Sequence, residues 1–422
     1  MIRRRTMASL LAVGALSVGA VAAGCGDDDS GGGDVGDLKV GVLVPLTGDL
    51  APYGGPGSKA ADLAGTQVNA AAEAAGSELN LELVTEDTKT DPQGAQEAAT
   101  KLIDSDGVAA ISGPWASSEA IPTAENVTSP AGIPIVTPSA TQADLTEIGS
   151  STGLLFRTAP SDALQGEVLA GILADEFGAD ATLNTASRND AYGTGLVAGF
   201  EAAWEGGGGT IGKNVAYNPE AASLNSEAQQ IAGGNPAGWL IVDFPETWSK
   251  MGPALVRTGN WDPAKTFAAD GLRSNSLPQE AGRESTEGMR GTAPTSSEAP
   301  GDALFQTLWD QEVGDPRQTY DAQNFDTVVL IALAAAAAGS SDPASIAENL
   351  APVSGPPGDK YGIDQLQQAF EALANGDDID YEGASGPIDL DENGDPGSAD
   401  YTTWVYRGGK LVDEDVISAG PE

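Results

Sequence analysis

The chain contains no histidine and a single cysteine, Cys25. Without imidazole there is no histidine general base, no Ser-His or Cys-His nucleophile pair and no histidine metal ligand. With one thiol there is no intrachain disulfide and no cysteine metal site, and neither a metal nor a cofactor is expected. A chain without cross-links relies on the size of its core, and 422 residues suffice for that and for two or three domains at ~150 each. Basic residues are scarce: 20 Lys and Arg stand against 62 Asp and Glu, a net charge of −42. Such a field repels nucleic acid and anionic lipid surfaces, so no nucleic-acid partner is expected. Beyond the N-terminus no apolar run approaches membrane-spanning length; Ile331 to Ala338 reads as a buried helix.

What is present begins with the N-terminus. Arg3-Arg4-Arg5 is a positive n-region, and Met7 to Ala23 is apolar and rich in small residues. The run ends Val21-Ala-Ala-Gly-Cys25. It resembles the lipobox of bacterial lipoproteins, which implies a signal peptide over 1–24 and a diacylglycerol on the Cys25 sulfur. Ala22 stands where Leu is commoner. Residues 25–35 form a polar, Gly-rich tether.

The rest alternates strand and helix patterns with short breaks. Strands are expected at Leu38–Val44, Leu79–Val84, Val108–Ser112, Ile133–Val136, Leu154–Arg157, Ala181–Ala186, Ala237–Val242 and Lys265–Ala269. Helices are expected over Lys59–Ala75, Asp91–Asp104, Glu119–Val127, Asp162–Glu176, a segment carrying Leu196, Phe200 and Trp204, Ala303–Glu312, Gln323–Ala338 and Gln365–Ala374. Tyr381 to Trp404 carries turn chemistry between short strands. The alternation predicts parallel sheets with helices on their faces, in two α/β domains of similar construction.

The stretch from Val108 to Thr141 organises this pattern. Two apolar strands each break at Gly or Pro into hydroxyl residues: Gly113-Pro-Trp-Ala-Ser-Ser-Glu119 and Thr137-Pro-Ser-Ala-Thr141. The carboxyl ends of strands in open α/β sheets are where small ligands bind. Ser117, Ser118, Ser139 and Thr141 would sit at that edge beside Trp115. The same hydroxyls also suit ordinary helix N-caps.

Three other motifs fail. Gly54-Gly-Pro-Gly-Ser-Lys59 lacks phosphate-loop spacing. Asp389-Leu-Asp-Glu-Asn-Gly-Asp395 lacks the flanking helices and the bidentate Glu of a calcium loop, and reads as a hairpin turn. Among dozens of acids, none has a spacing that argues for glycoside hydrolysis.

Taken in order, a lipobox, Val40-Gly-Val-Leu-Val-Pro-Leu-Thr-Gly48, Tyr53-Gly54, Glu86-Asp87, Asp91-Pro92, Ser112-Gly113, Ser117-Ser118, Ile133-Pro134, Pro138-Ser-Ala-Thr141, Phe156-Arg157-Thr158, Asp190-Ala-Tyr-Gly193 and Tyr381-Glu-Gly-Ala-Ser-Gly-Pro387 make up a pattern. It resembles the branched-chain amino-acid-binding family of ABC-transporter substrate-binding proteins, over about Leu38 to Leu411. The resemblance implies two doubly wound parallel-sheet lobes joined by three hinge crossings near Thr158, Gly291 and Ala399. The lobes would be 36–158 with 292–399, and 159–291 with 400–422. It implies that Ser117 binds a ligand carboxylate, with Ser118 beside it. Ser139, Ala140 and Thr141 would hold the amino-acid head group, Tyr192 would contact the ligand on closure, and Asp270 would pair its ammonium. An aromatic after the Ala237–Val242 strand would face the ligand, Phe244 in preference to Trp248. Family members carry a disulfide where this chain has Thr90 and Ala116. Trp115 replaces a smaller apolar residue, which puts leucine-like specificity in question.

The expected function is a monomeric, lipid-anchored, extracytoplasmic solute receptor that is not an enzyme. It would deliver an amino acid or amide-like solute to ABC permease subunits. A ligand sensor of the same fold and a carboxylate-based extracytoplasmic hydrolase are the alternatives.

Overall fold

The computed structural model describes residues 35–296 and 299–420. The expected signal peptide, Cys25 and nearly all of the expected tether lie outside the described residues. Three sheets are present among those residues. The first joins β1 (Asp37–Val44), β2 (Asn80–Asp87), β3 (Ala110–Ser112), β4 (Ile135–Thr137) and β5 (Leu155–Arg157) in the order β2-β1-β3-β4-β5, every pair parallel.

The second sheet contains β6 (Thr182–Arg188), β7 (Thr210–Tyr217), β8 (Gly238–Val242), β9 (Thr266–Ala268), β10 (Arg290–Thr295), β14 (Ala399–Arg407) and β15 (Lys410–Ala419). Its order is β15-β14-β10-β9-β8-β6-β7. From β7 to β10 this repeats the winding of the first sheet, so each sheet is doubly wound, with its order reversing at β1/β3 and β6/β8. A third, small sheet joins β11 (Asp359–Gly362), β12 (Ile379–Gly383) and β13 (Gly386–Pro387).

Several expectations need correction. The second sheet is not wholly parallel, because β14 pairs antiparallel with both β10 and β15. The β14–β15 hairpin turns at Gly408-Gly409, where both residues have positive φ (65° and 75°), as a tight two-residue hairpin turn requires. β10 keeps the chain in the second sheet to Thr295, past the Gly291 where a crossing was expected; its Gly and Pro mask it as a strand. β7 is a further strand beyond those expected, a half-exposed edge with a weak apolar pattern.

The first helix starts at Ala51, not Lys59, and runs through Gly54, Gly55, Pro56 and Gly57 to Ala75. Packing explains why these poor helix formers are present. A Cβ at Gly54 would lie 2.0 Å from the Pro45 carbonyl oxygen, and one at Gly57 would lie 2.4 Å from the Trp115 ring. Tertiary fit here overrides propensity.

The core of the first half is built on the Asp321–Ala338 helix, buried from Asp321 through Ala335 and packed against the Ala51–Ala75 helix. Each fully buried Val, Leu or Ile on it contributes about 1.5–3 kcal/mol. No single described helix is long and apolar enough to cross a membrane.

Candidate functional site

The loops leaving the carboxyl ends of β1, β3 and β4 meet those leaving β6, β8 and β9. They line a small cavity of about 20 Å³. Leu50 and Tyr53 come from beyond β1, Trp115, Ala116 and Ser117 from beyond β3, and Ser139 from beyond β4. Tyr192 follows β6, Phe244 follows β8, and Asp270 and Gly271 follow β9; Tyr320 enters from the start of the Asp321–Ala338 helix.

Six of the sequence-predicted residues therefore line one cavity: Trp115, Ser117, Ser139, Tyr192, Phe244 and Asp270. Ser118, Ala140 and Thr141 do not line it. Of the two aromatic candidates after β8, Phe244 lines the cavity, whereas Trp248 is fully buried in a separate core cluster against Trp261.

The loops after β3 and β4 are stitched together. Ser139 Oγ donates to the Trp115 carbonyl at 2.8 Å, and Thr137 Oγ1 donates to that of Pro114 at 2.6 Å. Ser117 does not cap its own helix; Ala116 occupies the N-cap. Instead Ser117 Oγ accepts the Thr141 and Gln142 N–H groups, each at 3.2 Å. With its lone pairs so engaged, the Ser117 hydroxyl proton is left to donate elsewhere.

Arg157 fixes the far side of this loop. It is fully buried and donates from Nη1 to the carbonyls of Thr141 (3.0 Å) and Gln142 (3.1 Å). Its Nε and Nη2 form a fork onto Asp395, both bonds 2.6 Å. The segment that failed as a calcium loop thus supplies a partner for Arg157. Asp391 shapes that turn by accepting the Asn393 and Asp395 N–H groups, and no cluster able to hold a metal occurs among the described residues.

Asp270 stands opposite the hydroxyls. Its Oδ1 accepts the Tyr192 hydroxyl and its Oδ2 the Tyr320 hydroxyl, each at 2.9 Å. The Tyr192 oxygen accepts the Gly271 N–H at 3.1 Å. Burial raises the Asp270 carboxyl above its ordinary value, and the two phenols oppose that rise by stabilising the anion. Asp162, the first residue of the Asp162–Phe177 helix that follows β5, is pushed up to about 8, by burial first and by the Asp270 charge second. The nearby Thr141 hydroxyl tempers the rise without reaching hydrogen-bond geometry. No Lys or Arg lines the cavity, and Asp270 is its one ionisable carboxyl.

Its walls are aromatic. Tyr192 stacks on Phe244 at 5.1 Å, and Trp115 meets Tyr320 edge-on at 6.5 Å. The Trp115 indole N–H has no partner among the described residues. Sequence reasoning assigned no role to Tyr53 or Tyr320. Tyr53 reaches across to donate to the Gly271 carbonyl at 3.1 Å. Nothing local marks Tyr320, whose place in the site depends on packing between distant segments.

Comparison with known proteins decides what this cleft belongs to. The periplasmic binding protein family matches residues 37–407. The chain belongs to that family. The family places the protein outside the cytoplasm, in the company of ABC transporters. The leucine-, isoleucine-, valine-, threonine- and alanine-binding protein of Pseudomonas aeruginosa is 28% identical over 316 residues, covering 74% of this chain and 82% of that one. Among solved structures, the fold resembles a branched-chain amino acid transporter substrate-binding protein from Streptococcus pneumoniae in complex with isoleucine. That match has a TM-score of 0.73 at 21% identity, over 91% of this chain and 100% of that one. It also resembles a solute-binding protein from R. palustris in complex with benzoate, with a TM-score of 0.70 at 18% identity over 92% and 98%. At those identities the structural likeness shows the fold alone: a periplasmic binding protein with two α/β lobes. The named relative is a binding protein, not an enzyme.

Proposed function

We propose that this periplasmic binding protein captures a zwitterionic amino acid between its lobes and delivers it to an ABC permease. The observation that carries this reading is Asp270, a buried acid held by two phenols in a cavity without a lining cation. An ammonium would satisfy that charge, and the Ser117 hydroxyl and neighbouring N–H groups would serve the carboxylate. Ser118, Ala140 and Thr141 would act from behind, by shaping the loops that carry Ser117 and Ser139. The lobes would be those expected from the sequence, with the second crossing moved beyond Thr295, and closure would be a hinge motion of a monomer.

An aromatic acid such as benzoate is the second reading, favoured by the five aromatic rings lining the cavity. An anion without an ammonium would meet the negative field of Asp270, which is the reason for ranking it second. Titration calorimetry of the protein with the common L-amino acids and with benzoate separates the two. Heat from benzoate and none from any amino acid overturns the first reading.

Anchoring is part of the proposal. Gly24-Cys25 and the preceding apolar run support lipidation at Cys25. Mass spectrometry of the N-terminal peptide from extracted membranes tests it, and an unmodified Cys25 counts against an anchor.

A further inference from the structure

Asp49 lies in the turn between β1 and the first helix, on the first-sheet half of the molecule. Arg188 is the last residue of β6, in the second sheet. Arg188 Nη2 donates to Asp49 Oδ2 at 2.8 Å, and Thr247 Oγ1 donates to the same oxygen at 3.3 Å. The two charged side chains are only 5% and 13% exposed. Neither lines the cavity.

Arg188 is nevertheless tied to the cavity wall. Its guanidinium lies 3.9 Å over the Phe244 ring. The opposite partner of that ring is Tyr192, stacked at 5.1 Å with an interplanar angle of 12°, and the Tyr192 hydroxyl rests on Asp270. An unbroken set of contacts thus runs from Asp49 in one half, through Arg188, Phe244 and Tyr192 in the other, to Asp270.

We propose that Asp49 and Arg188 form a latch between the two lobes, with Arg188 also a positioning residue for Phe244. The proposal rests on the reading that the ligand binds in this cleft. The charge balance gives the latch its directionality. Arg188 keeps two acids of its own half, Asp190 through a hydrogen bond from Nε and Asp243 through its charge. Removing Asp49 therefore does not strand a buried cation, which is what makes truncation of buried pairs so damaging. The loss falls on the contact between the halves, so it opens the cleft without unfolding either half. Because no ligand contact is altered, escape from the closed form should quicken while capture is little changed.

The latch can be tested by spin-label distances in the full chain, with Cys25→Ser and labels at Asp62→Cys and Lys250→Cys, both exposed positions. The probe is an equimolar mixture of the twenty common L-amino acids. In the wild-type background the mixture should populate a short distance, and about 1 M NaCl should weaken it by screening. Asp49→Ala should lower the ratio of short to long distances at least about tenfold and abolish its salt dependence. Thr247→Val, which removes only a neutral hydroxyl, should have a smaller effect. Closure of Asp49→Ala as complete as wild type overturns the latch, as does a wild type that gives heat with the mixture yet never populates the short distance. Calorimetry on the same samples separates the two ideas. Normal heats with an unaffected Asp49→Ala sink the latch alone. A salt-dependent short distance with no heat from any amino acid sinks the amino-acid reading alone.

Discussion

The Tyr320 hydroxyl donates to Asp270 Oδ2 at 2.9 Å from a residue whose backbone φ is +73°. A bulky side chain rarely adopts that left-handed conformation. Such conformers cost on the order of 1–3 kcal/mol and persist where surrounding structure enforces them, often at ligand sites. Here the enforced turn brings a phenol to a buried carboxylate from a segment 50 residues away in the chain.

The ammonium role of Asp270 leads to the first prediction. Truncating one member of a buried charge pair costs about 2–5 kcal/mol. At about 1.4 kcal/mol per tenfold, Asp270→Ala should weaken an amino acid at least roughly thirtyfold. Ser117→Ala should cost less, about 1 kcal/mol for a neutral hydroxyl. Titration calorimetry of both variants checks the order; an Asp270→Ala protein within a few-fold of wild type refutes the role.

Tyr320→Phe should show a smaller loss of the same kind. A hydrogen bond to a charged group contributes about 1.5–3 kcal/mol, so amino-acid affinity should drop on the order of tenfold. Without the phenol the carboxyl loses a donor that stabilises its anion, and the pH at which binding begins to fail on acidification should move upward. An unchanged affinity and pH profile would remove Tyr320 from the site.

Gly57 and Trp115 form a matched pair. An alanine Cβ at position 57 would meet the Trp115 Cζ2 at 2.4 Å, and the ring has a helix behind it and the cavity before it. Gly57→Ala should cost about 1–3 kcal/mol of stability through overpacking. It should also press the ring into the cavity and lower affinity. Adding Trp115→Leu should recover much of the stability, and thermal melts of the two single variants and the double variant measure the coupling.

Buried acids set the pH dependence of stability. Asp162 is pushed up to about 8, Glu119, Asp243 and Asp321 to about 7, and Asp326 to about 6, burial being the largest cause each time. In an unfolded chain such carboxyls titrate near ~4. Between those limits the folded protein holds more protons than the unfolded chain, so stability falls as pH rises. The contribution of these groups is complete below about pH 4 and is lost through about pH 6 to 8. Scanning calorimetry should give a lower melting temperature near pH 8 than near pH 5, with Asp162→Asn flattening the upper part. A melting temperature that climbs over this range contradicts the burial argument.

The sequence by itself determined the class of architecture. Runs such as Leu38–Val44 and Ala237–Val242 are apolar and bounded by Gly, Pro or Asp, so strand and helix alternation is written locally. The hydroxyl-bearing breaks at Ser117 and Ser139 follow strand ends, which marks those residues locally, whereas Asp270 at the end of its strand is singled out only by the family resemblance. The Gly408-Gly409 turn between two alternating runs is an equally local signal of the β14–β15 hairpin.

Tertiary structure alone decided the rest. Whether Gly54 and Gly57 belong to a helix depends on Pro45 and Trp115, which no window around them contains. Which strand joins which sheet depends on pairing partners far apart in the chain, as for β10 and β14. The site itself is assembled from loops at the carboxyl ends of strands in two sheets wound alike, which folding brings together. Tyr320 and the Asp49–Arg188 pair are therefore invisible to periodicity, because their chemistry depends on a distance that only folding fixes.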